Sequence, residues 1–182
     1  NALTVGEVST AGRGDVTLRT QSTVTMRAAA ESGDAVQANT LDVRAGGEIR
    51  LITQANTLRL ETTEAGDVVL EQRQRAALTL EQVDVRDGHL TVTSDSRVVL
   101  DQVRLASAER DIDGRAVANE LNVTTTDGDI VVGRVEFGRY YENEDGTLSV
   151  EKLDAESGEL VRANIRELEG AESRFIAEGR VV

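Results

Sequence analysis

The chain of 182 residues contains no cysteine, no proline and no tryptophan, and only two phenylalanines, two tyrosines, one methionine and one histidine. Without cysteine there is neither a disulfide framework nor a thiolate metal site, and cysteine usage indicates no compartment. Aromatic residues at 2% force any core to be aliphatic, filled by Val, Leu, Ile and Ala. The lone histidine, His89, leaves no Ser-His-Asp or Cys-His set to assemble, because a triad needs a nucleophile and an orienting carboxylate in a shaped pocket. Long apolar runs are missing too: none approaches the roughly 20 residues of a spanning helix, so no membrane insertion is expected. The chain opens Asn1-Ala2-Leu3 without a Met or a basic-then-apolar leader, which reads as a processed form or a piece of something longer.

Positive charge is the other shortage. Lys and Arg total 20 against 33 Asp and Glu, a net charge of −13. Nucleic acid affinity depends on clustered cations, so no nucleic acid partner is expected, and an anionic membrane surface is disfavoured for the same reason. The length suits one domain able to bury its own core.

What is present is repetition. Gln37-Ala38-Asn39-Thr40-Leu41 and Gln54-Ala55-Asn56-Thr57-Leu58 are identical blocks. Leu80-Glu81-Gln82-Val83-Asp84-Val85 and Leu100-Asp101-Gln102-Val103-Arg104-Leu105 share one pattern, and Leu60, Leu80 and Leu100 suggest a ladder at a constant step. A start signal recurs at Gly14-Asp15-Val16, Gly47-Glu48-Ile49, Gly66-Asp67-Val68, Gly88-His89-Leu90, Gly128-Asp129-Ile130 and Gly146-Thr147-Leu148. Each start opens a short apolar-polar-apolar segment, and others follow within the unit, as in Leu78-Thr79-Leu80 and Val83-Asp84-Val85. Period 2 means strands with one buried face, and three short strands per turn make a triangular coil.

Stacking explains the composition. Coils about 4.8 Å apart hydrogen-bond to one another, and inward residues meet their counterparts above and below as aliphatic ladders. Large rings disrupt a narrow bore, and proline removes a donor from a strand paired on both sides. Glycine supplies positive φ at corners. Asn39 and Asn56 are expected to stack as a side-chain amide ladder. About nine coils, roughly 40 Å, are expected.

Units of about 20 residues carrying Gly-Asp-φ-x-φ, as in Gly66-Asp67-Val68-Val69-Leu70, and then Asn-Thr-Leu-x-φ, as in Asn56-Thr57-Leu58-Arg59-Leu60, resemble the repeats of filamentous haemagglutinin and related large bacterial exoproteins. The resemblance covers about residues 3 to 132 and implies an all-β, right-handed parallel β-helix (β-solenoid), extracellular or on the cell surface. Two departures stand out: Gly33-Asp34-Ala35-Val36-Gln37 breaks the alternation, and no amino-terminal secretion cap is visible.

The texture changes beyond Val132, which divides the chain into solenoid repeats at 1–132 and divergent terminal coils, a cap or a docking element at 133–182. Phe137, Tyr140, Tyr141 and Phe175 all fall in this region. A solenoid end exposes strand edges that invite polymerisation unless covered, so these four are candidate assembly or cap residues. The stretch from Glu159 to Leu168 suits a short helix or a strand, with strand preferred.

Arg13-Gly14-Asp15 spells the tripeptide that integrins recognise, a candidate receptor-binding site, although Gly14-Asp15 is already explained as a repeat corner. The turn carrying Glu142, Glu144 and Asp145 is the densest set of hard oxygen ligands, of the kind calcium takes, against a bland reading as solvated acids. His89 stands where sister repeats have Asp and is expected to be a corner residue facing solvent. Three functions are carried forward. The first is a non-enzymatic structural rod or fibre subunit, self-associating head to tail through its ends. The second is an adhesin module that binds a surface receptor. The third is a carbohydrate-active enzyme, which needs two carboxyls about 5 to 10 Å apart across a sugar.

Overall fold

The alternation written into the sequence becomes strands winding through successive coils. The computed structural model describes residues 1–11, 13–27, 35–74, 76–105, 119–137, 140–142, 148–153, 160–164, 173–177 and 179–182, and every element in them is a strand. The first coil holds β1 (Leu3–Val5), β2 (Val8–Ser9) and β3 (Val16–Arg19). The second holds β4 (Val24–Met26) and β5 (Val36–Ala45), and the third is the 17-residue strand β6 (Ile49–Ala65). The fourth has β7 (Val68–Gln72) and β8 (Leu78–Asp87), the fifth β9 (Leu90–Ser94) and β10 (Val98–Leu105), and the sixth β11 (Leu121–Thr125) and β12 (Ile130–Phe137). After them come β13 (Tyr140–Glu142), β14 (Leu148–Leu153), β15 (Leu160–Asn164) and β16 (Ser173–Ala177).

One wall runs unbroken through β1, β4, β6, β7, β9, β11 and β16. Its rungs are Leu3, Val24, Ile49, Val68, Leu90, Leu121 and Ser173, each paired in parallel with the next. A second wall stacks Leu18, Val43, Leu60, Val83, Val103 and Val135, also in parallel. Beside it lie Leu41, Leu58, Leu80 and Leu100, all with no exposed surface. A shorter wall of Ser9, Gln37 and Gln54 joins β2, β5 and β6, while Thr53 beside it pairs onward with Gln72 of β7. The fold is therefore a parallel β-helix around an aliphatic bore. Most rungs contribute Leu, Val or Ile inward and polar residues outward, as in β9, where Leu90 and Val92 are buried and Thr91 and Thr93 stay accessible. Burial of such ladders from water is the main stabilising term.

Glycine is required where the path turns hardest. Gly88 and Gly128 take φ values of 153° and 124°, and a Cβ at either would collide with the backbone of the coil beneath, at Gly66 or Arg97.

Several expectations change. Leu80 stacks on Leu58, not on Leu60, because Glu81 is an extra residue in β8 that shifts the register between Leu58 and Arg59; Leu60 meets Val83 instead. Such a bulge leaves one residue unpaired and re-aims the strand. The unbroken wall has seven rungs, not nine, about 29 Å from first to last at the 4.8 Å spacing. The step from Ile49 to Val68 takes 19 residues, whereas Leu90 to Leu121 takes 31 and Leu121 to Ser173 takes 52.

The start signal at Gly146 opens no coil. Leu148 to Leu153 pairs antiparallel with β13 and β15 in a separate three-stranded sheet. Leu160–Asn164 is a strand, as preferred. The solenoid continues past Val132: β12 stays paired with β10 to Phe137, β16 adds a rung on β11, and Val181 bridges Ile130.

Candidate functional site

The corners are built by one recurring device. Four start signals place, just before the strand, a polar side chain that accepts a backbone N–H of the next coil, whereas Glu48 at the Gly47 signal accepts from Arg50 of its own coil. Asp15 Oδ1 accepts from Thr40 N (3.1 Å), Asp67 Oδ1 from His89 N (2.9 Å) and Asp129 Oδ1 from Arg180 N (2.7 Å). His89 continues the series, with its Nδ1 accepting Glu120 N–H at 3.0 Å. It is an exposed corner residue, as expected, and only the neutral ring has the lone pair for this bond. The device predicts a rescue pattern. His89→Ala loses the acceptor and should cost about 1 kcal/mol, read as a lower urea midpoint, while His89→Asp should restore most of the loss.

Arg13-Gly14-Asp15 lies on such a corner, with Arg13 and Asp15 exposed. Thr10 Oγ1 donates to Gly14 O (3.0 Å), and Asn39 N also donates to it (2.8 Å). Asp15 therefore does structural work with one carboxylate oxygen, while Arg13 points its charge to solvent with no ion pair among the described residues.

Asn39 and Asn56 form the expected amide ladder, Asn56 Nδ2 donating to Asn39 Oδ1 at 3.2 Å. A third member was missed: Gln74 Nε2 donates to Asn56 Oδ1 at 2.9 Å. Gln72 was missed as well. It occupies an inward position after Val68 and Leu70, and its amide copies a backbone strand, Nε2 donating to Ala55 O (2.7 Å) while Oε1 faces Ala55 N (3.4 Å) and accepts from Thr53 Oγ1 (2.6 Å). The pairing of β6 with β7 stops at Thr53 and Gln72, and the Gln72 side chain supplies Ala55 with the partner that a further rung would have given. Its sequence signal was a polar residue on an inward beat.

The outer face of the second wall carries the column Arg19, Arg44, Glu61, Asp84, Arg104 and Glu136, in register. Arg44 pairs with Glu61 at 3.4 Å and Arg104 with Asp84 at 3.9 Å, and Arg134 engages Glu136. Arg59 binds Glu81 with two hydrogen bonds, 2.8 and 2.9 Å. That bidentate contact, more than the charge itself, holds the Glu81 carboxyl below its ordinary range and raises Arg59. A depressed carboxylate adds stability that is present at neutral pH and fades as pH falls through the folded-state value. Both side chains are open to water, so the contribution is screened. Between these columns lies a shallow depression of about 170 Å³ lined by Gln82, Asp84, Gln102, Arg104, Arg134 and Glu136. Its two carboxylates, Asp84 and Glu136, pair with Arg104 and Arg134.

The aromatic residues do not form one set. Phe137 ends β12 and Phe175 sits in β16, both on the parallel sheet, whereas Tyr140 and Tyr141 belong to β13 of the antiparallel sheet. Phe175 is partly buried and packs on the core. Of the candidate calcium ligands, Glu142 ends β13, while Glu144 and Asp145 lie outside the described residues. Among the described residues no three acids or histidines gather where they could hold a metal ion. Compared with protein families, with curated proteins and with solved structures, the chain matches none of them.

Proposed function

We propose that this chain is a structural segment of an extracellular or cell-surface β-solenoid, a stiff rod whose work is to hold what it joins at a fixed separation. The observation that carries this reading is the unbroken seven-rung wall from Leu3 to Ser173. Parallel strands bonded above and below resist bending, and the aliphatic ladders of the bore tie every coil to its neighbours. The resemblance of the repeat to bacterial exoproteins agrees with such a role and with export. Because the sequence lacks cysteine, Thr17→Cys and Arg180→Cys introduce two unique attachment points for spin labels. A single narrow distance between them is the expected result, stable in urea until cooperative unfolding. A broad distribution in native buffer would refute the rod.

An adhesin reading is second, favoured by the exposed Arg13 on its corner. Asp15→Glu lengthens the acid by one methylene at a position where the tripeptide's receptors demand aspartate. Cell attachment that survives this change removes the tripeptide, and loss of attachment with an unchanged melting temperature supports it.

A further inference from the structure

One corner column runs Glu48, Asp67, His89, Glu120, each residue standing just before a rung of the unbroken wall at Ile49, Val68, Leu90 and Leu121. Its character changes at the fourth member. Gly66 and Asp67 alone join β6 to β7, and Gly88 and His89 alone join β8 to β9. Between Leu105, which ends β10, and Leu121, which opens β11, the same corner takes residues 106–120. A corner of two residues fixes the next rung closely through the chain itself. At Leu121 that constraint is weaker, and bonds to the coil beneath matter more.

Three bonds fasten that entry. Leu90 N–H donates to Glu120 O (3.0 Å), Asn119 Nδ2 donates to Asp87 Oδ1 (3.3 Å), and Glu120 N–H donates to His89 Nδ1 (3.0 Å). The corresponding bonds at Asp15, Asp67 and Asp129 end on carboxylate oxygens. Among these acceptors only imidazole changes its hydrogen-bonding character in mildly acid solution, because a proton on Nδ1 removes the lone pair and makes the ring a donor at both nitrogens. His89 is the sole histidine of the chain, so this response belongs to one joint.

The charged groups around the ring give it somewhere else to go. Asp67 lies beneath, its Oδ1 accepting the His89 backbone N–H at 2.9 Å; Glu120 lies above, its carboxylate receiving Asn122 Nδ2 at 3.3 Å; Arg86 and Asp87 precede the corner on β8. Glu48, further down the column, is taken by Arg50 at 3.0 Å. A protonated Nδ1 sets donor against donor at the Glu120 N–H, while the carboxylates of Asp67, Asp87 and Glu120 are acceptors that suit an imidazolium.

We propose that His89 makes the joint between the fifth and sixth coils proton-sensitive: the neutral ring fastens the Glu120 N–H, and a proton on Nδ1 releases it while the joints built on aspartate stay closed. The ring exchanges a backbone bond for a carboxylate, so total stability is a poor reporter and the local amide is the measure. Nuclear magnetic resonance of the full chain between about pH 8 and pH 5 tests it, with the single imidazole as its own titration marker. Protection of the Glu120 amide against hydrogen exchange, corrected for the intrinsic pH dependence of exchange, should fall about tenfold as the imidazole signal moves. The amides of Thr40 and Arg180, which donate to aspartates, should keep theirs. His89→Asp and His89→Asn each retain a side-chain oxygen acceptor and should hold the Glu120 amide protected throughout; the second serves if the first does not fold. Glu120 protection that stays constant while the imidazole titrates overturns the inference. So does a fall that is equal in the variants, or one that the Thr40 and Arg180 amides share.

Discussion

Leu80→Asp is expected to abolish cooperative folding of the central coils. Leu80 has no exposed surface and lies between Leu58 below and Leu100 above, in a mainly aliphatic bore. A carboxylate there has no cation or donor to meet. Protonating it avoids the charge but still leaves a polar group desolvated, so the penalty is several kcal/mol by either route. Domains of this size are held by only about 5–15 kcal/mol, so the substitution removes a large part of the total. Leu80→Ala should cost less, about 2–5 kcal/mol, because it leaves a cavity but no unsolvated polar atom. Solenoid stability is a sum over neighbouring coils, so the loss should begin locally: amide exchange at Leu58 and Leu100 should accelerate before that at Leu3. Urea melts followed by circular dichroism measure the global change. Full stability in Leu80→Asp would mean that Leu80 faces solvent and the inward assignment of its strand is reversed.

The inward assignment was legible because a strand's two faces are encoded by alternation alone. β9 could be read directly from Leu-Thr-Val-Thr-Ser, and so could the corner role of His89, from its place in Gly88-His89-Leu90. The register between coils was not legible in the same way, since it depends on how many residues each corner consumes. A constant step put Leu60 beneath Leu80, and one bulged residue, Glu81, was enough to move it beneath Val83. The start signal at Gly146 shows the limit from another side. Gly-Thr-Leu-Ser-Val is as good a strand as any, but alternation fixes which face is buried and not whether the neighbour is parallel or antiparallel. The candidate sites divide likewise. The Asn39–Asn56 ladder came from an identical repeated block, whereas Gln74 extends it from Gln72-Arg73-Gln74, which keeps the leading Gln of that block but has Gln in place of its Asn.

Gln72→Leu, which adds apolar surface to an apolar bore, is nonetheless expected to destabilise the fold by about 2–5 kcal/mol. Judged by area alone the change should help, since leucine fills nearly the same volume and Gln72 is almost fully buried at 1% exposure. What it removes is the partner for two backbone groups. Ala55 is fully buried, and its C=O receives Gln72 Nε2 at 2.7 Å while its N–H turns to Oε1. Leucine leaves both without a partner at a place water cannot reach, and it also strips the acceptor from the Thr53 hydroxyl. A buried polar group left unsatisfied costs about 1–3 kcal/mol, and two or three of them outweigh the roughly 1–2 kcal/mol that burying extra carbon returns. Thr53→Val separates the contributions, since it deletes the hydroxyl and leaves the amide free to serve Ala55; its cost should stay near 1 kcal/mol. Amide exchange adds a positional readout, with the Ala55 N–H expected to lose protection in Gln72→Leu and keep it in Thr53→Val. If Gln72→Leu proves neutral, Ala55 has found another partner and the wall of Ser9, Gln37 and Gln54 does not depend on a side chain to end it.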